Sequence, residues 1–151
     1  MTTLKPGDAA PDFSAADQHG NEISLKSLKG KKVVLYFYPK DDTPGCTAEA
    51  CNLRDNHTDL INKGYVVVGV SPDPSKAHTK FTEKYELPFS LLPDTDKKII
   101  QDYGVWGPKK FLGKSYEGVL RSTFVIDENG IIEKVFTQVD TKNHTVQILN
   151  S

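Results

Sequence analysis

Nothing in this 151-residue chain is long and apolar enough to cross a membrane as a helix; no run approaches the ~18 consecutive apolar residues required. An excess of either charge is missing too. With 19 basic and 20 acidic residues interspersed, the net charge is −1. That reads as a solvated surface, with no footprint for nucleic acid or anionic lipid. The opening Met1-Thr2-Thr3-Leu4-Lys5-Pro6-Gly7-Asp8 has no apolar segment and carries an early acid, so it does not read as a secretory signal. An intracellular, cytoplasmic setting is the expectation. Repeats, low-complexity tracts and linkers are absent, and 37% hydrophobic content suffices for one core, so a single domain over 1–151 is expected. No long exposed apolar edge is evident, which favours a monomer. His19, His57, His78 and His144 have no metal-ligand spacing to one another or to the cysteines, so no metal site is expected and the four are assigned scattered polar or packing roles. Cysteine itself is scarce. Cys46 and Cys51 are the only two, and in a reducing compartment such a pair points to redox chemistry or metal binding before a permanent staple.

The pattern along the chain is that of a mixed α/β fold. Ala10 to Leu25 alternates apolar and polar around His19-Gly20-Asn21, a hairpin signal. Val33-Val34-Leu35-Tyr36-Phe37-Tyr38 and Tyr65-Val66-Val67-Val68-Gly69-Val70 are continuous apolar runs of strand length, as buried parallel strands read. Between them lies the cysteine helix, closed by Lys63-Gly64, which makes a βαβ unit. Further on, Ser75–Tyr85 has helical spacing through Ala77, Phe81 and Tyr85, Ser90–Leu92 is a short strand, and Lys97–Tyr103 is a short helix. Ser122–Ile126 and Ile131–Phe136 flank Asp127-Glu128-Asn129-Gly130, a hairpin signal. Thr145–Ser151 is a short terminal helix. The sum is a central mixed sheet with helices on its faces.

The chemistry concentrates where the first apolar strand gives way to a helix. Thr43 suits the N-cap and Pro44 the first helical position, which puts Cys46 in the first turn. Unpaired N–H groups and the positive end of the helix dipole can stabilise a thiolate there. Cys46, Ala50, Leu53, His57 and Leu60 or Ile61 share the core-facing stripe, while Cys51 lies on another face. If both cysteines stay helical they stand about 140° apart with Cα atoms roughly 8 to 9 Å apart. A disulfide needs less than ~7 Å, so a Cys46–Cys51 bond requires the first turns of the helix to unwind. Asp41 and Asp42 would oppose the thiolate by their charge, so a cation is needed nearby.

The segment Tyr36-Phe37-Tyr38-Pro39-Lys40-Asp41-Asp42-Thr43-Pro44-Gly45-Cys46-Thr47-Ala48-Glu49-Ala50-Cys51 resembles the active-site segment of peroxiredoxins of the bacterioferritin comigratory protein, or peroxiredoxin Q, group. The resemblance continues in order through Gly69–Asp73, Phe81–Phe89, Tyr103–Gly107 and Arg121–Asp127, covering nearly the whole chain; Val139–His144 departs from the family in lacking Pro and Gly. It implies a thioredoxin-like fold and reduction of hydrogen peroxide and organic hydroperoxides without metal or organic cofactor. Cys46 would be the peroxidatic residue and Cys51 the resolving one, with an intramolecular disulfide reduced by thioredoxin. By the same resemblance Thr43 would offer its hydroxyl to the peroxide, Pro44 would shield the thiolate and Arg121 would supply the cation. Glu49 is either a surface acid or an ion-pair partner that orients Arg121. Phe37, Tyr38 and Trp106 are core residues of which some should wall the thiol site.

Two other classes use the same thiols. A thiol-disulfide oxidoreductase usually keeps a Cys-x-x-Cys pair, which this chain lacks. A non-enzymatic redox sensor would oxidise Cys46 once and pass the signal to a partner. Steady turnover of peroxide separates the peroxidase from both.

Overall fold

The computed structural model describes residues 2–150; Met1 and Ser151, the last residue of the expected terminal helix, lie outside the described residues. A hairpin of β1 (Ser14–Ala16) and β2 (Glu22–Ser24) comes first. Then follow β3 (Lys32–Phe37), α1 (Pro44–Asp55), α2 (His57–Asn62), β4 (Tyr65–Ser71), α3 (Ser75–Tyr85), β5 (Ser90–Pro93) and α4 (Lys98–Asp102). A second hairpin, β6 (Trp106–Phe111) with β7 (Lys114–Val119), precedes β8 (Ser122–Ile126), β9 (Ile132–Phe136) and α5 (His144–Asn150). The central sheet runs in the order β5-β4-β3-β8-β9. Strands β3, β4 and β5 are parallel, and β8 and β9 pair antiparallel to their neighbours.

Because side chains alternate across a strand, β3 feeds two cores. Val33, Leu35 and Phe37 pack with Val68, Val70, Phe124 and Ile126 on one face, together with α4 residues Ile99 and Ile100. Val34, Tyr36 and Tyr38 pack on the other with Val67, Leu91, Val125 and the helical residues Cys46, Ala50, Leu53, Leu60 and Phe81. Burial on both faces is why β3 and β4 read as unbroken apolar runs. Among the described residues no helix is long and apolar enough to cross a membrane.

Two elements differ from the sequence reading. The single cysteine helix is two, because Asn56 turns its amide back: Asn56 Nδ2 and its own N–H both donate to Asn52 O, at 2.8 and 3.2 Å. Such local side-chain bonding competes with regular helix, and the restart places Leu60 in the core and leaves Ile61 exposed. The β6–β7 hairpin has no counterpart in the sequence reading. Its two-residue turn, Leu112-Gly113, has positive φ at both positions (51° and 78°), the geometry that matches strand twist. Leucine is a poor marker for it, and Gly107-Pro108 beside Trp106 reads as a strand breaker.

Candidate active site

The end of β3, the start of α1 and the start of β8 meet at one edge of the sheet. Phe37 pairs with Ser122 in the β3–β8 register, so Arg121, one residue ahead of β8, arrives beside the loop that enters α1. Thr43 has extended N-cap geometry (φ −97°, ψ 155°) and Pro44 opens the helix, where its missing N–H costs nothing. Thr43 O accepts the first helical bond from Thr47 N–H at 2.8 Å. The Thr43 hydroxyl does not cap the helix, however; it donates to Lys40 O at 2.8 Å. Its proton is thus committed, and what it can still offer is an acceptor.

Cys46 stands at the third helical position and is 1% exposed. Arg121 Nη2 donates to Cys46 Sγ at 3.1 Å, while Nη1 donates to Glu49 Oε1 at 2.7 Å. One planar guanidinium therefore bridges the sulfur and a carboxylate. Gly45 leaves the space for it, since a Cβ there would lie 3.3 Å from Arg121 Nη2. Burial works against the charge on Arg121, but Cys46 and Glu49 outweigh it and hold the guanidinium pKa above its ordinary value.

Glu49 is not a surface acid. It has no exposed surface, and burial pushes its carboxyl up to about 7 although Arg121 pulls it down. Its Oε2 has no hydrogen-bond partner among the described residues and lies 3.8 Å from His144 Nε2. The tautomer of His144 follows from its neighbours. Gln147 Oε1 accepts from Asp140 N–H at 2.8 Å and so presents oxygen, at 2.8 Å, to His144 Nδ1. Nδ1 then carries the proton, and Nε2 accepts from the Thr123 hydroxyl at 2.7 Å. Burial, the largest influence, also lowers the His144 pKa and so favours the neutral ring.

The remaining predicted groups sort cleanly. Asp41 and Asp42 are both paired with groups other than the sulfur. Asp41 accepts from the Tyr38 hydroxyl at 2.6 Å and pairs with His78 Nδ1 at 2.6 Å, while Asp42 pairs with Lys84 at 2.7 Å and Tyr85 at 2.8 Å. Asp41, Asp73 and His78 bring ligand-type atoms within 4.8 Å of one another, a grouping that sequence spacing did not foresee. They satisfy each other and the backbone: Asp73 Oδ2 accepts from Asp41 N–H and Ser71 Oγ, and His78 Nε2 faces Leu92 O. The result is a clasp that holds the loop before α1. Of the aromatic set, Tyr38 shares the cysteine-side core, but Phe37 and Trp106 belong to the opposite one. Tyr36, not singled out from the sequence, takes their place, and its buried hydroxyl has no hydrogen-bond partner among the described residues. Burial, with Glu49, Asp41 and Cys46 nearby, holds that hydroxyl well above its ordinary pKa. His57 packs 6.0 Å from Phe89. Cys51 is half-buried, and burial, its largest influence, raises the thiol pKa. Both cysteines are free thiols.

The arrangement is a buried sulfur at a helix N-terminus, touched by a fixed cation, in a chain whose two thiols lie on one helix. Comparison with known proteins shows the family. The AhpC/TSA family profile matches residues 6–135. The chain is 47% identical to Peroxiredoxin Bcp of Escherichia coli (strain K12) over 99% of its own length and 96% of that protein. It is 46% identical to Peroxiredoxin Bcp of Bacillus subtilis (strain 168), over 99% and 95%. Among solved structures, Peroxidoxin BcpB of Mycobacterium tuberculosis superposes with a TM-score of 0.85 at 35% identity over 97% of this chain and 95% of that one. A PrxQ variant of Xylella fastidiosa gives 0.92 at 27% identity over 99% and 96%. The chain belongs to the AhpC/TSA family and, within it, to the thioredoxin-like peroxiredoxins of the bacterioferritin comigratory protein or peroxiredoxin Q group.

Proposed function

We propose that this thiol-dependent peroxidase reduces hydrogen peroxide and alkyl hydroperoxides at Cys46, resolves the product with Cys51, and is returned to the dithiol by thioredoxin or a similar small dithiol protein. The observation that carries the reading is the 3.1 Å contact between Arg121 Nη2 and the buried Cys46 sulfur. The thiolate attacks one peroxide oxygen, the O–O bond breaks, and negative charge gathers on the departing oxygen. Arg121 and the Cys46 backbone N–H are donors fixed in advance for that charge. Thr43, its proton held by Lys40, accepts from the O–H of the incoming peroxide. The leaving group takes a proton and departs as water or an alcohol. Cys46 is left as a sulfenic acid. Its sulfur then bonds to that of Cys51 with loss of water, and a dithiol reductant cleaves the disulfide through a mixed disulfide. Support for alkyl substrates comes from a neighbour: the Xanthomonas campestris Bacterioferritin Comigratory Protein, described for alkyl peroxide reduction, superposes with a TM-score of 0.87 at 29% identity.

Peroxide consumption driven by thioredoxin, its reductase and a nicotinamide donor tests the scheme. The wild type should turn over steadily, Cys46→Ser should consume nothing, and Cys51→Ser should react once and accumulate sulfenic acid. Full turnover in Cys46→Ser overturns the role of Cys46. Unchanged thioredoxin-driven cycling in Cys51→Ser removes Cys51 from the mechanism.

A further inference from the structure

Cys51 is followed directly by a side chain that ties α1 to the end of the chain. Asn52 Nδ2 donates to Lys142 O at 2.9 Å, and Asn52 Oδ1 accepts from Thr145 N–H at 2.8 Å. That N–H lies in the first turn of α5 (His144–Asn150), where helix donors lack partners of their own. Asn52 therefore caps α5 from another helix. Around this clasp α5 is well seated. Its residues His144, Thr145 and Ile148 are buried, His144 is bonded to Thr123, and Lys134 Nζ donates to Ile148 O at 2.9 Å. The terminal helix is thus a fixed wall, and Asn52 is where the cysteine helix is fastened to it.

We propose that Asn52 is a latch on the resolving step: while its amide grips α5, Cys51 is held away from Cys46, and releasing that grip is what speeds disulfide formation. The inference rests on the peroxidase reading above. Neighbouring Cα atoms are about 3.8 Å apart, so a pinned residue 52 leaves Cys51 little room to travel. The helical separation of about 8 to 9 Å exceeds the ~7 Å a disulfide tolerates. With Asn52 gripped, the whole displacement must come from Cys46, which would have to leave a site where it is 1% exposed and part from Arg121. With Asn52 free, the turn carrying Cys51 can uncoil toward the sulfur instead. The latch then sets a competition. In resolution the Cys51 sulfur bonds to the Cys46 sulfur, the S–O bond breaks, and hydroxide leaves to be protonated to water. In the competing step a second peroxide oxidises the waiting sulfenic acid to sulfinic acid and is itself reduced to water.

Reduced protein is mixed with hydrogen peroxide and acid-quenched over time, and intact mass separates sulfenic, sulfinic and disulfide forms. Asn52→Ala should form the disulfide about five- to tenfold faster and leave less sulfinic acid at high peroxide, with sulfenic acid appearing at the wild-type rate. Asn52→Asp keeps the acceptor for Thr145 N–H but loses the bond to Lys142 O, and should fall between wild type and Asn52→Ala. Ile132→Val, in the opposite core, controls for general loosening. A wild-type disulfide rate in Asn52→Ala, or equal acceleration by Ile132→Val, overturns the latch. No sulfenic acid on Cys46 in the wild type would instead overturn the peroxidase reading itself.

Discussion

A carboxyl group with no exposed surface and, among the described residues, a partner for only one of its oxygens resists ionisation, and Glu49 is such a group. Its folded value of about 7 lies above the ordinary glutamate value of 4.5, so between these pH values the folded chain holds more protons at this site than the unfolded one. The stability that protonated Glu49 contributes is complete below pH 4.5 and is lost as pH rises through 7. His144 acts in the opposite sense, since burial lowers its pKa and its contribution is lost as pH falls. Glu49→Gln should remove the first effect and leave the second. Urea unfolding at pH 5 and pH 8 should therefore show a smaller loss at the higher pH in the variant, by on the order of 2 kcal/mol. Identical pH dependence in both proteins would contradict this account. That Cys46, Thr43, Pro44 and Arg121 come together was legible in the sequence through two segments, Tyr36–Cys51 and Arg121–Asp127. Tyr36, His144 and Asn52 were not, because their importance comes from who faces them across β8 and α5, which no spacing along the chain encodes.

At the scale of the element, the first turn of α1 is shaped by its neighbour as much as by helix propensity. Gly45 is helical without positive φ, so its bare Cα serves clearance and not backbone freedom. Gly45→Ala should gain roughly 0.5–1 kcal/mol of helix propensity, offset by the Cβ standing 3.3 Å from Arg121 Nη2. Net stability should stay within about 0.5 kcal/mol, while Cys46 oxidation, followed by competition for peroxide in stopped flow, should slow about tenfold as the guanidinium is displaced. An unaltered rate would show that the guanidinium has slack. The elements themselves were readable where one signal dominated. Ser75–Tyr85 and Ser122–Ile126 stand where their patterns place them. The break at Asn56 and the β6–β7 hairpin were unreadable because each rests on one local conformation: an amide bonded back to Asn52 O, and a leucine with φ of 51°.

For the molecule as a whole, the disulfide form should be the weaker of the two redox states. Closing so short a loop contributes only about 2 kcal/mol in the chain-entropy model. Against it stands the unwinding of the first turns, which gives up the burial of Cys46 and Ala50, the Arg121–Cys46 contact and several helical hydrogen bonds worth about 0.5–1.5 kcal/mol each. Reduced protein should outlast oxidised protein in a urea titration, the reverse of what a structural disulfide does. Greater resistance in the oxidised form would mean that the helix survives bond formation.

The pairing of Phe37 with Ser122 has a consequence for how this scaffold tolerates change. Extra residues at the tip formed by Leu112 and Gly113, where Leu112 is 87% exposed, lengthen a ribbon that points into solvent and leave the rest of the molecule in step. One residue added or removed within Ser122–Ile126 shifts the strand by about 3.3 Å and turns every side chain to the opposite face, carrying the guanidinium away from its sulfur. Length variation among functional relatives should therefore gather at the tip and stop short of the strand.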